Sequence, residues 1–147
     1  MPATVTSVNL SAKKTVRKTP GESGVLVPGS GFEGDAHAGD WHRQVSLLAE
    51  ESIAKMQEKG LDVHEGDFAE NITTRGIDLV SLPVGTRVRV GDTLLEVTQI
   101  GKECHTKCAI YYQAGDCVMP KEGIFAIVVE GGRVEVGDEI SVAGSDS

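Results

Sequence analysis

Apolar and polar positions alternate along most of this chain in short separate runs, and one stretch breaks that rhythm with helical spacing. Residues 3–10 (ATVTSVNL) alternate and carry β-branched side chains, which predicts a strand. VSLL at 45–48 is a short apolar run of the kind a buried strand makes. AEESIAKMQEKG follows and predicts the one main helix. Glu50 and Glu51 stand near its start, with Lys55 and Lys59 toward its end, an order that suits the helix macrodipole. Gly60 supplies the stop, and Ile53 and Met56, extended by Leu61, form a narrow apolar face.

From residue 68 the rhythm is β again. FAENITT, RVRVGDTLLEVTQI and GIFAIVVEGGRVEVGDEISV alternate between glycine-bearing turns. One pattern recurs, Arg87-Val88-Arg89-Val90-Gly91-Asp92 and Arg133-Val134-Glu135-Val136-Gly137-Asp138. Each predicts two outward polar residues and two inward valines before a Gly-Asp turn, a unit of barrel wall without chemistry of its own. Residues 20–40 are rich in Gly and Pro and read as one long irregular loop, a common place for function. The expected fold is mostly β: a small β-barrel with one main helix and short helical or loop insertions. It forms a single domain over 1–147, with a core of about 3–142 and a frayed tail at 143–147.

Composition narrows the function classes. A chain of 147 residues hides a modest core, and a mean hydropathy of -0.11 with no apolar run near the roughly 20 residues of a spanning helix argues against a membrane protein. The formal charge of -8 disfavours nucleic acid as a partner. The start, MPATVTSVNLSAKK, lacks a basic cluster leading into an apolar stretch, so the cytoplasm is the expected compartment, where thiols stay reduced. Against the acidic background, Lys13, Lys14, Arg17 and Lys18 crowd into AKKTVRK, either a solvated loop or a small anion-binding rim.

All three cysteines fall in or near GKECHTKCAI and the AGDCVMP that follows: Cys104, Cys108 and Cys117, with His105 beside the first. As a zinc site these four lack the usual paired ligand spacing, and adjacent Cys104 and His105 chelate one tetrahedral ion poorly. As a reactive thiol, Cys104 has Lys102, His105 and Lys107 for neighbours, and nearby positive charge favours the thiolate. Cys108 and Cys117 then serve as buried fillers or as resolving partners. A second constellation, GFEGDAHAGDWHRQVSLL, brings His37, His42, Asp35, Asp40, Arg43 and Gln44 to the end of the glycine-rich loop. A third, AENITTRG, offers Glu70, Asn71, Thr73, Thr74 and Arg75 to a polar heterocycle or a phosphate, or else simply forms a strand with a polar face.

Four motifs in order, GD-x-H-x-G…HRQVSLL, ENITT-x-GIDL, L-x-VGTRVRVGDTLLEVTQIGKECH and EGIFAIVVEGG-x-V-x-VGDEI, resemble the MOSC domain, named for the C-terminal domain of molybdenum cofactor sulfurases. The resemblance runs from about the first strand to residue 142 and is to the short stand-alone bacterial type. It implies a barrel-like fold, binding of molybdenum cofactor (molybdopterin) or its sulfur, and a functional cysteine after a strand, which maps onto Cys104. Many members carry Pro just before that cysteine, where this chain has Glu103, and Cys108 and Cys117 are additions.

On this resemblance Cys104 carries a persulfide or binds molybdenum directly. Arg43, Arg75 and the basic rim hold the pterin phosphate, Asn71 and Thr73 contact the cofactor, and His37 and His42 make polar contacts or move protons. His105, Cys108 and Cys117 are secondary candidates. The expected partners are a cysteine desulfurase-type sulfur donor and a molybdopterin-handling protein or molybdoenzyme as recipient, acting in trans. Pyridoxal phosphate is not expected in this chain. The alternatives are a molybdenum-dependent reductase of N-oxygenated substrates and a non-catalytic, zinc-stapled interaction module.

Overall fold

The computed structural model describes residues 3–10, 19–35, 38–41, 44–58, 60, 64, 70–100 and 123–145. Its strands are β1 (Ala3–Leu10), β2 (Thr19–Gly21), β3 (Ser23–Val27), β4 (Gly31–Phe32), β5 (Val45–Ala49), β6 (Ile72–Arg75), β7 (Thr86–Val90), β8 (Thr93–Ile100), β9 (Ile124–Glu130), β10 (Gly132–Glu135) and β11 (Glu139–Ser145). Helix α1 (Glu50–Glu58) lies between β5 and β6, and a single 3-10 turn occupies Leu79–Ser81.

Strands β11, β7, β8, β9, β5, β6 and β1 hydrogen-bond in that order, and β1 pairs back to β11, which closes a seven-stranded barrel. Every neighbouring pair is antiparallel except β5 and β6. A parallel pair cannot be joined by a hairpin, and here the crossover carries α1. The helix packs on those two strands with Ile53 and Met56 buried as expected from its spacing and Ser52 buried beside them, while Leu61 lies outside the described residues. The interior is filled by inward positions such as Val5, Val8, Val45, Leu47, Ile72 and Val97.

The glycine-rich stretch 20–40 differs from the expected loop, because it holds part of β2 and all of β3 and β4. Strands β10, β3 and β4 make a second sheet, whose Leu26, Phe32 and Val134 join the barrel core while Val25 and Val27 stay exposed. Close approach explains a glycine here. Gly31 has φ 127°, and a Cβ on it would stand 2.5 Å from the Gln44 carbonyl oxygen. Strand β11 also runs past the expected core edge at 142, since Gly144 and Ser145 still pair with Arg87 and Thr86 beyond a bulge.

The repeated sequence unit follows expectation in its first copy only: Val88 and Val90 of β7 join the barrel core, whereas β10 belongs to the second sheet and, past its end, Val136 is exposed, leaving Val134 as the one inward valine of that copy. Gly91-Asp92 turns β7 into β8, and Gly137-Asp138 turns β10 toward β11. The two turns meet: the Gly91 N–H donates to the Glu139 carbonyl at 3.0 Å, and a Cβ on Gly91 would collide with the Asp138 carboxylate.

Candidate functional site

Strand alternation assigns faces in the sector built by β5, β6 and β1. Val45, Leu47, Ile72, Val5 and Val8 belong to the core, and a bulge between Val5 and Ser7 lets β1 turn both of its valines inward. Ser46, Asn71, Thr73, Ser7 and Asn9 therefore stand on the outer face, yet none is more than 5% exposed. Short polar side chains buried on the outside of a barrel must find partners there.

Asn71 is the hub of that network. Its Oδ1 accepts from the Ser46 N–H at 3.0 Å and from the Ser46 hydroxyl at 3.2 Å, and its Nδ2 donates to the Asn9 carbonyl at 3.3 Å. Its own N–H donates to Ser46, 3.0 Å from Oγ and 2.9 Å from the carbonyl oxygen. A second run of bonds has one direction. Ser7 Oγ donates to Asn9 Oδ1 at 2.6 Å, Asn9 Nδ2 donates to Thr73 Oγ1 at 3.0 Å, and Thr73 Oγ1 donates to Glu70 Oε2 at 2.8 Å. Three donors in series thus end on a fully buried carboxyl group.

Arg75 continues the same outer face beyond Thr73. The parallel register of Ala49 with Thr74 brings the first turn of α1 level with it. Arg75 Nε donates to Glu50 Oε2 at 2.7 Å, and the Gly76 N–H donates to Glu51 Oε2 at 3.0 Å. The hydrogen bond that Arg75 donates to Glu50, and then the charge of Glu50, raise the guanidinium above its ordinary pKa. Two cavities flank this corner. One of about 440 Å³ is lined by residues including Glu51, Lys55, Gly76 and Asp78; the other, about 410 Å³, is lined by Glu50, Glu51, Gln57 and Arg75 among others.

The candidates thus separate. Asn71 and Thr73 are buried, with the polar atoms of their side chains engaged inside the sector, while the Arg75 side chain is 63% exposed. Cys104, His105, Cys108, Cys117, His37, His42, Arg43 and the AKKTVRK stretch lie outside the described residues. The cysteine segment is bracketed by β8 and β9, and Ile124 of β9 pairs with both Ile100 and Leu47, next to the polar sector. Gln44 is buried and accepts from the Val128 N–H at 3.0 Å, which fastens the end of the glycine-rich loop to β9. Ser7, Asn9 and Ser46 escaped the sequence reading; a polar residue in mid-strand, as in SVNL and VSLL, was the available signal. Glu50 and Glu51 were read only as complements to the macrodipole.

Among the described residues no helix is long and apolar enough to cross a membrane. No curated protein sequence matches the chain. Among solved structures the fold is similar to the YuaD protein from Bacillus subtilis, with a TM-score of 0.80 at 20% identity, covering 100% of this chain and 98% of that one. It is also similar to YiiM from Geobacillus stearothermophilus, TM-score 0.71 at 19% identity, over 97% of this chain and 75% of the other. YiiM from Escherichia coli gives 0.71 at 19% identity, over 100% and 72%. At such identities the likeness is one of fold. The sequence itself is more specific: residues 34–141 match the MOSC domain, a stretch that takes in the polar sector from β5 through β6 and the barrel wall that follows. The chain belongs to the MOSC domain family.

Proposed function

We propose that the protein binds molybdenum cofactor and handles sulfur for it, with Cys104 as the thiol that carries a persulfide or binds the metal. The observation that carries this reading is the corner at the end of β6. There a guanidinium and a backbone N–H, on successive residues, both already hold carboxylates. Such a donor set fits an anionic group, and Arg-phosphate pairing is among the stronger charge-assisted contacts. In this reading Arg75 and Gly76 receive the phosphate of the pterin, together with Arg43 and the AKKTVRK rim. His37 and His42 make polar contacts or move protons. Asn71 and Thr73 support the site from beneath, by holding β5, β6 and β1 in register.

When bound, the cofactor supplies a thiophilic molybdenum centre, for which a soft thiolate or persulfide is a matched ligand. Sulfur arrives from a cysteine desulfurase-type donor. The Cys104 thiolate attacks the outer sulfur of the donor persulfide, and the donor cysteine leaves as a thiolate. The recipient is a molybdopterin-handling protein or a molybdoenzyme.

The test is intact-mass measurement after incubation with a cysteine desulfurase and cysteine, on wild type and on each cysteine variant. Wild type should gain one sulfur atom, and Cys104→Ser should fold, fail to load sulfur and fail to retain molybdenum. If Cys104→Ser loads sulfur and retains molybdenum like wild type, the proposal is wrong.

A further inference from the structure

The corner at the end of β6 holds its anions in an unusual way: both come from the protein itself. Glu50 and Glu51 are neighbours in the first turn of α1, and they take neighbouring donors, Arg75 Nε and the Gly76 N–H. Among the described residues Glu50 engages Arg75 through Nε and no partner of its terminal Nη groups is found. The pair is exposed, 63% for the Arg75 side chain and 32% for Glu50, and exposed ion pairs are weak. The two carboxylates also belong where they are without Arg75, since acidic groups in the first turn of a helix face its positive end.

We propose that Glu50 and Glu51 form an autoinhibitory latch on an anion site, which a phosphate group opens by displacing them. This rests on the reading of Arg75 as a phosphate donor given above. A tethered carboxylate competes at high effective concentration, so a weak anion gains little by replacing it. A phosphate monoester brings up to two charges and three acceptor oxygens, enough to engage the guanidinium fork and the Gly76 N–H together. The cavities of about 440 and 410 Å³ on either side leave room for the group and for the released side chains.

Titration of the apo-protein with inorganic phosphate and, separately, with released molybdenum cofactor tests the latch, read at the Gly76 amide by nuclear magnetic resonance. Glu50→Gln should tighten phosphate binding about fivefold, the factor equivalent to an exposed ion pair at the top of its usual range. The gain should vanish when Arg75→Gln is added. Glu58→Gln, at the far end of the same helix, makes the same change in net charge and should leave phosphate affinity as in wild type. A gain with both titrants places the cofactor's phosphate at the latch. The latch is overturned if Glu50→Gln gains no more than Glu58→Gln, if the gain survives loss of Arg75, if neither titrant moves the Gly76 amide, or if only inorganic phosphate responds. Sulfur loading at Cys104 is measured independently, so the latch can fail while the proposed function stands.

Discussion

Two sectors of one barrel use their outward positions in opposite ways. Along β7 and β8 the outward residues include the long, charged and partly exposed Arg87, Arg89 and Glu96. Arg87 meets Glu96 at 3.4 Å, and Arg89 meets Glu130 of β9 at 3.6 Å. Along β5, β6 and β1, apart from the exposed Arg75, the polar outward residues Ser46, Asn71, Thr73, Ser7 and Asn9 are short, neutral and buried, and they bond to one another. The backbone alternation is the same in both, so the difference lies in what a lost contact leaves behind. A broken surface pair leaves two solvated charges, whereas a broken buried bond leaves polar groups with nothing to replace the partner. Stability and candidate chemistry therefore concentrate in one sector, beside the one parallel pair and the one helix among the described residues.

Asn71→Ala should expose that difference most. It removes the acceptor of the Ser46 N–H and hydroxyl and the donor to the Asn9 carbonyl, all buried. Each orphaned group costs about 1–3 kcal/mol, and partial relaxation leaves an expected loss of about 3 kcal/mol in denaturant unfolding. A loss under about 1 kcal/mol would erase the contrast with the wall. Thr73→Val keeps the shape and removes the acceptor of Asn9 Nδ2 and a donor to Glu70 Oε2, for about 2 kcal/mol by the same measurement. On the wall side the sensitive point is a turn rather than a pair. Gly91 has φ 56° and would press a Cβ into Asp138, so Gly91→Ala should cost about 1 kcal/mol or slightly more, seen as a lower thermal midpoint.

The wall was the legible part of this molecule. RVRVGD announces its strand, faces and turn within a few residues, because everything that decides them is local, while RVEVGD announces its turn but not that Val136 is exposed. The same holds for α1, where Glu50, Ile53 and Met56 mark the start and the apolar face. Strands β3 and β4 were not legible, because they are five and two residues long and sit among glycines, of which Gly24 and Gly31 serve close approach and Gly29 and Gly34 serve turns. In the polar sector the residue types of ENITT were visible but their partners were not. Ser46 lies 25 positions from Asn71 and Asn9 lies 62 positions from it, distances that only the parallel β5–β6 pairing and the β1–β6 register bring together. Arg75 was likewise visible as a cation, while its engagement by Glu50 depends on the crossover geometry.

The smallest expected effect sharpens the comparison most, because it sets two similar arginines against each other. Arg89 is half exposed, and among the described residues its ion-pair partner is Glu130, whose Oε2 is 3.6 Å from Nη2, beyond ordinary hydrogen-bond length. Arg89→Ala should therefore change stability by less than about 0.5 kcal/mol, with little further change between low and high salt. It should also leave molybdenum cofactor binding unchanged. Arg75→Ala, which removes a more solvated side chain, should likewise spare stability but weaken cofactor binding about tenfold if a charge-assisted bond to phosphate is lost. Parallel unfolding curves and cofactor titrations of the two variants decide the matter. Equal binding losses would mean that only net charge counts, and no loss in either would remove Arg75 from the site.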